Sequence, residues 1–271
     1  MTAAPTRIER VWMIGCGNMG GAMLRQWIAS GTLSGDAVDV VNRSDRALPI
    51  GVRQARDLPD GPLPDAVILA MKPQHLDEVA DRFAERLAGV SMLVSILAGV
   101  EEPALAHRFH AGAVIRAMPN LPVGIGKGVV ALDTSSIDPV ARAAVAALMG
   151  PLGLVEWVAP AQFDAVTALA GSGPAFLYRF IDALAAAGVA QGLPANQAQR
   201  LALATVEGAG LLAAAADVGP GELAERVASP GGSTRKGLDV LDTGDALTAL
   251  LTETISAATR RNAEMAAAAR G

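Results

Sequence analysis

The sequence predicts a two-part chain, with an α/β unit built on a mostly parallel sheet over residues 1–160 and an all-α unit over residues 161–271. Three observations carry that reading. Short β-branched runs recur through the first half, the first five of them roughly 20 to 30 residues apart, with room for a helix in each interval. A glycine-rich turn follows the first run. After about residue 160 the β-rich runs stop and long helices rich in small residues take over.

In chain order, the runs are VWMIG at 11–15, VDVVN at 38–42, AVILAMK at 66–72, MLVSI at 92–96 and AVIRAMPN at 113–120. Two further strand candidates are GVVAL at 128–132 and GLVEWV at 153–158. Helices fall roughly at 18–30, 74–88, 101–110 and 138–149. Pro73 suits a helix start, where a missing N–H costs little, and Gly31 and Gly150 suit helix ends. In the second half a helix at 162–170 runs into GSGP at 171–174, where either one helix kinks or two meet end to end. Helices at 175–191, 195–217, 221–228, 235–242 and 245–268 follow. Those at 175–191 and 195–217 are apolar around much of their surface, which points to dimerisation through this half.

The turn reads GCGNMG at 15–20, between the first strand and the first helix. Gly15 allows the tight turn, Gly17 leaves room for a pyrophosphate, and Gly20 lets helix and strand approach closely. The helix-opening N–H groups can hold an anion, with Ile14 leading into the turn and Cys16, Asn18 and Met19 lining it. A strand before, a helix after and a second strand at the expected distance make this a Rossmann-type dinucleotide site. The second strand ends in Asn42, Arg43 and Ser44 with no acid; Asp39 lies within the strand and Asp45 past the turn. Arg43 suits an adenosine 2′-phosphate, with Ser44 or Asn42 donating beside it, so NADPH is expected and NADH is the alternative.

A net charge of -5 disfavours general attraction to nucleic acid or to an anionic membrane surface. The one cysteine, Cys16, cannot form an intrachain disulfide and reads as small packing. No charged segment, apolar run and cleavage site open the sequence, and the apolar stretch at 201–217 carries Glu207, so a cytoplasmic protein without a membrane span is expected. His75, His107 and His110 have no cysteine or H-E-x-x-H partner; they read as solvated surface histidines, and no metal is expected. The segment SPGGST at 229–234 places Gly231, Gly232, Ser233 and Thr234 at a helix start, where a small carboxylate is a suitable guest. The plainer reading is that Ser229 is only an N-cap and the glycines only a turn.

With IGCGNMGGAM, AMKPQ at 70–74, RAMPNLP at 116–122, DAVTALAGSGPAF at 164–176 and VASPGGSTRKGLDVLD at 227–242, the chain resembles the pyrroline-5-carboxylate reductase family over nearly its whole length. The resemblance implies reduction of the cyclic imino acid 1-pyrroline-5-carboxylate to L-proline by NAD(P)H, the final step of proline biosynthesis. It also implies a C-terminal helical domain that interlocks with a second subunit, giving a homo-oligomer built from dimers, with a homodecamer as the larger form. It places the cofactor on the glycine turn, on residues 42–44, on Ala70, Met71, Lys72 and Pro73, and on Ser95, Ile96 and Leu97. The substrate carboxylate would meet residues 229–234, with Thr234 near the ring nitrogen. Leu121 replaces the family's usual threonine, Lys127 a common glutamate, Phe176 a frequent tyrosine and Arg226 an asparagine of some members. Thr234 and Asn120 are the catalytic candidates, although Asn120 equally suits a turn cap. Lys72 is read as a cofactor contact and not as an acid. A rival class, the β-hydroxyacid dehydrogenases, would need a helix lysine near the nicotinamide, for which Lys236 is the nearest candidate.

Overall fold

The structure, a computed structural model, describes residues 5–268. Its strands are β1 (Val11–Ile14), β2 (Val38–Val41), β3 (Arg53–Ala55), β4 (Ala66–Leu69), β5 (Met92–Ser95), β6 (Ala113–Pro119), β7 (Gly128–Asp133) and β8 (Gly153–Trp157). They form one sheet of order β3-β2-β1-β4-β5-β6-β7-β8. Every pairing is parallel except β6 with β7. The central strands are buried along their whole length, which is why they read as continuous apolar runs and not as alternating ones. Helices α1 (Asn18–Ala29), α2 (Leu76–Leu87), α3 (Glu102–Arg108) and α4 (Pro139–Met149) cover the sheet.

Two cores result, one on each face. Met13, Met23, Trp27, Ile68 and Leu148 belong to one, and Trp12, Leu69, Phe83, Leu93 and Phe109 to the other. Trp27 donates its indole N–H to the Leu148 carbonyl at 2.8 Å, which satisfies the polar atom of a fully buried ring. The reversal at β7 is pinned by a buried ion pair. Arg116 meets Asp133 at 3.4 Å across the antiparallel ladder, and its guanidinium lies 3.9 Å over the Phe163 ring.

The expected strands are all present. β3 is an addition to them: three residues, Arg-Gln-Ala, on the sheet edge give no apolar signal. At GSGP two helices meet. α5 (Phe163–Val166) passes into a π-helical turn at Thr167–Gly171, and α6 (Gly173–Ala190) starts afresh. α7 (Ala195–Ala215), α8 (Pro220–Arg226), α9 (Ser233–Asp242) and α10 (Ala246–Ala268) follow.

The chain divides into two compact units. One runs through Ser172 and takes in the segment from Ala258 onward; the other is Gly173–Ala257. Residue 160, the expected division, falls inside the first. Within that unit the end of α10 is tied down: Asn262 donates to the Asp164 carbonyl at 3.2 Å, and Ala266 is buried. In the second unit α6 and α7 pack on each other while carrying many exposed apolar side chains. Among the described residues, no single helix is long and apolar enough to cross a membrane.

Candidate active site

The sheet register builds the first part of the site. Ile14 is level with Val41 on one side and with Leu69 on the other, and Leu69 is level with Ser95. The C-terminal ends of four parallel strands therefore meet at one edge, where the strand order reverses about β1. That edge is the ligand-binding crevice of an open parallel sheet. Gly15 continues the ladder by donating to the Val41 carbonyl at 2.8 Å, and Ala70 donates to Ile14 at 2.8 Å.

Residues 14–19, 42–44 and 70–72 together with Ile96 line a groove of about 570 Å³. Gly15 has φ +85, and a side chain there would come within 2.7 Å of the Met71 backbone nitrogen. A Cβ at Gly20 would lie 3.1 Å from that of Ala70, so this glycine sets how closely α1 approaches the end of β4. Beside Gly17 the space is open, with nothing within 4 Å of a built Cβ. Gly17 is also the N-cap of α1 and supplies no side-chain cap, so the first-turn N–H groups face a ligand without competition. These features fit a dinucleotide pyrophosphate.

Four of the expected cofactor residues do not line the groove. Gly20 packs as described, Pro73 opens the short 3₁₀ turn that leads into α2, and Leu97 is buried in the core. Ser95 is buried too, and its hydroxyl accepts from the Leu97 N–H at 3.3 Å. Asn42 lines the groove with its amide already committed. Its Oδ1 accepts from the Cys16 N–H at 2.8 Å and its Nδ2 donates to Gln54 Oε1 at 2.8 Å. Asn42 thus staples the glycine turn to β2 and β3. Cys16 is buried, and that burial pushes its thiol up despite the opposing charges of Arg46 and Arg25. Its side chain packs in the core beneath the turn.

The groove also takes Arg46, Arg56, Glu78 and Arg82, which the sequence did not single out, and His75. His75, expected to be a solvated surface residue, is only 31% exposed at its side chain and touches Arg43. Lys72 lines the same groove.

Asn120, at the end of β6, is 6% exposed. It accepts from the Val129 N–H at 2.8 Å and donates to the Ala170 carbonyl at 2.9 Å. Its side chain ties β6 to β7 and to the π-helical turn, so the structure gives it a positioning role. Leu121 follows it and is 54% exposed.

In the second unit, the loop before α9 turns on Gly231, at φ +72, where the Gly232 N–H reaches the Ser229 carbonyl at 2.9 Å. The N-cap of α9 is Gly232, without a side-chain cap. Ser229 is therefore not the N-cap of α9, while the glycines make the turn. The hydroxyls of Ser229, Ser233 and Thr234 are exposed and form no hydrogen bond among the described residues. Arg235 holds the loop's two helices together. It binds Glu225 of α8 at 2.9 Å, and Asp239 and Asp242 of α9 at 3.0 Å each. Glu225 foremost, and Asp239 after it, raise its affinity for its proton further.

A doubly wound sheet with an uncapped glycine turn at its switch point, joined to a helical unit, defines a dinucleotide-dependent oxidoreductase. Comparison with known proteins narrows the class. Residues 160–265 match the family described as pyrroline-5-carboxylate reductase dimerisation, and residues 10–99 match the one described as NADP oxidoreductase, coenzyme F420-dependent. The pyrroline-5-carboxylate reductase of Synechocystis is 36% identical over 266 residues, 93% of this chain and 97% of the relative. That of Aquifex aeolicus is 36% identical over 242 residues, 86% of this chain and 89% of the relative. A solved pyrroline-5-carboxylate reductase from Coxiella burnetii superposes with a TM-score of 0.88 at 30% identity, covering 96% of this chain and 99% of that one. The chain belongs to the pyrroline-5-carboxylate reductase family.

Proposed function

We propose that this chain reduces 1-pyrroline-5-carboxylate to L-proline with NADPH as the favoured donor, the final step of proline biosynthesis. The observation that carries the substrate half is the loop at 229–234. Three hydroxyls without internal partners among the described residues stand at the opening of the ten-residue helix α9, on a turn that only glycine at 231 makes easily. Ser229 and Ser233, with the backbone N–H of Gly231, hold the carboxylate, while the Gly232 N–H closes the turn on the Ser229 carbonyl. Thr234 donates to or accepts from the ring nitrogen. Two anchors on opposite sides of a small ring fix which carbon is presented for reaction.

When bound, the reduced nicotinamide supplies a hydride to the C=N carbon. The side chains supply position. A ring nitrogen protonated before binding needs no acid from the protein. The histidine–carboxylate pair in the groove lining, His75 with Glu78, stands beside Arg43, at the ribose end of the cofactor in this reading. NADPH is favoured because no acid stands at the end of β2, while Arg43 and Ser44 line the groove there. The assembly is a dimer through the helical unit, and a ring of such dimers is its larger form.

The test is NADPH and NADH oxidation by the purified chain with pyrroline-5-carboxylate, set against 3-hydroxy acids. Turnover of the hydroxy acids and not of the imine refutes the reading. Within it, Thr234→Ala lowers kcat/KM for the imino acid on the order of 100-fold, through misplacement of the reacting carbon by about 1 Å. The Kd for NADPH stays within about twofold, because the dinucleotide groove lies in the other unit. A folded Thr234→Ala enzyme with unchanged kcat/KM removes Thr234 from the site.

A further inference from the structure

We propose that Glu78 and His75, both at the start of α2, set the preference between phosphorylated and unphosphorylated dinucleotide by controlling Arg43. The proposal rests on the reading that Arg43 receives the adenosine 2′-phosphate.

The three side chains form one cluster at the groove. Arg43 Nη2 lies 2.8 Å from His75 Nδ1 and 2.7 Å from its Nε2. Arg43 Nη1 lies 3.5 Å from Glu78 Oε2, and His75 Nδ1 lies 3.4 Å from the same oxygen. In a neutral imidazole one ring nitrogen accepts, so Arg43 donates to it and is drawn toward α2. The side chain of Arg43 is 61% exposed and that of Glu78 is 57% exposed, so both can rearrange when an anion arrives.

The charge of the groove makes Glu78 unusual. Arg43, Arg46, Arg56, Lys72 and Arg82 all line it, and among the described residues Glu78 is the one carboxylate in the lining. Arg56 and Arg82 are engaged by Asp45 at 3.1 Å and Asp57 at 2.9 Å, acids that do not themselves line the groove. A carboxylate so placed opposes a dianionic phosphate and competes with it for Arg43. An adenosine ribose bearing two hydroxyls carries no charge for Glu78 to repel. Glu78 therefore tilts the groove toward the unphosphorylated dinucleotide, and His75 tilts it back by holding the Arg43 fork at the groove wall. His75 is the N-cap of α2 and Glu78 lies in its first turn, so the selector sits at the start of α2 and not at the end of β2, where a dinucleotide-selecting acid is usually sought.

The experiment measures Kd by calorimetry for 2′,5′-ADP, which carries the 2′-phosphate, and for 5′-AMP, which lacks it, on the full chain. Glu78→Gln keeps the shape and removes the charge. It is expected to tighten 2′,5′-ADP about fivefold, the upper range for an exposed ion pair, and to leave 5′-AMP within about twofold. His75→Ala is expected to weaken 2′,5′-ADP selectively by about threefold. Arg43→Ala serves as the reference and weakens 2′,5′-ADP about tenfold or more relative to 5′-AMP. If Arg43→Ala is selective but Glu78→Gln and His75→Ala leave the ratio of the two Kd values unchanged, the selector is overturned while the phosphate stays on Arg43. If Arg43→Ala itself leaves the ratio unchanged, the phosphate reading fails and takes the selector with it.

Discussion

At the residue scale, Asn42 and Arg43 are chain neighbours with separable duties. Asn42 is 8% exposed and satisfies the buried Cys16 N–H inside the glycine turn. Asn42→Ala leaves that buried donor without its partner, while Gln54 Oε1 keeps the Arg46 N–H at 3.3 Å, at a cost of about 1–3 kcal/mol. Because the turn itself loosens, affinity for NADPH and NADH should fall in parallel. A thermal melt and the two Kd values check this, and a loss confined to NADPH would return Asn42 to the phosphate. The sequence shows that a polar loop follows β2, and Arg43 and Ser44 were legible as groove residues. The duty of Asn42 was not. It depends on Gln54, which sits on an edge strand too short and polar to be recognised. His75 escapes a sequence reading for a similar reason: nothing in its local sequence shows that α2 brings it against Arg43.

Among the elements, the buried strands were legible because each is an apolar run along its whole length, and the helix starts because proline and glycine mark them. The π-helical turn was not, since a change from i+4 to i+5 bonding leaves no mark in a short apolar stretch. The pairing of α8 with α9 was equally hidden. Arg235 shares α9 with Asp239 and Asp242, at helical spacing, but Glu225 reaches it only once the loop has folded. The acids that Arg235 binds are about half exposed or more, so solvent screens these contacts. Arg235→Met should therefore lower the melting temperature only slightly. It should also raise KM for the imino acid severalfold while leaving the Kd for NADPH unchanged, because the loop at 229–234 loses its brace. Arg235→Lys restores part of the KM. If Arg235→Met lowers the melting temperature and leaves KM intact, the brace serves the fold alone.

On the scale of the whole molecule, the helical unit cannot be a finished surface. Leu201, Leu203, Leu211 and Leu212 of α7 are each at least half exposed in the single chain, as are Tyr178 of α6 and Leu250 of α10. Such a face is covered by a second copy in a family whose matched segment is a dimerisation domain. Melting temperature should therefore rise with protein concentration. Leu212→Glu should shift sedimentation toward the monomer and take activity with it. An active monomer at micromolar concentration contradicts this. Composition made the excess of apolar helix surface plain from the sequence, while the return of the chain to its first unit was not visible there. That return bears on synthesis. The dinucleotide unit lacks a piece of itself, Asn262 against Asp164 and the buried Ala266, until the helical unit has been made. At roughly 5–20 residues per second, a ribosome spends several seconds between Ser172 and Ala258. During that interval the surface around Asp164 and Gly99, against which the end of α10 will lie, is exposed, and a fragment cut at Ser172 would keep that exposure permanently.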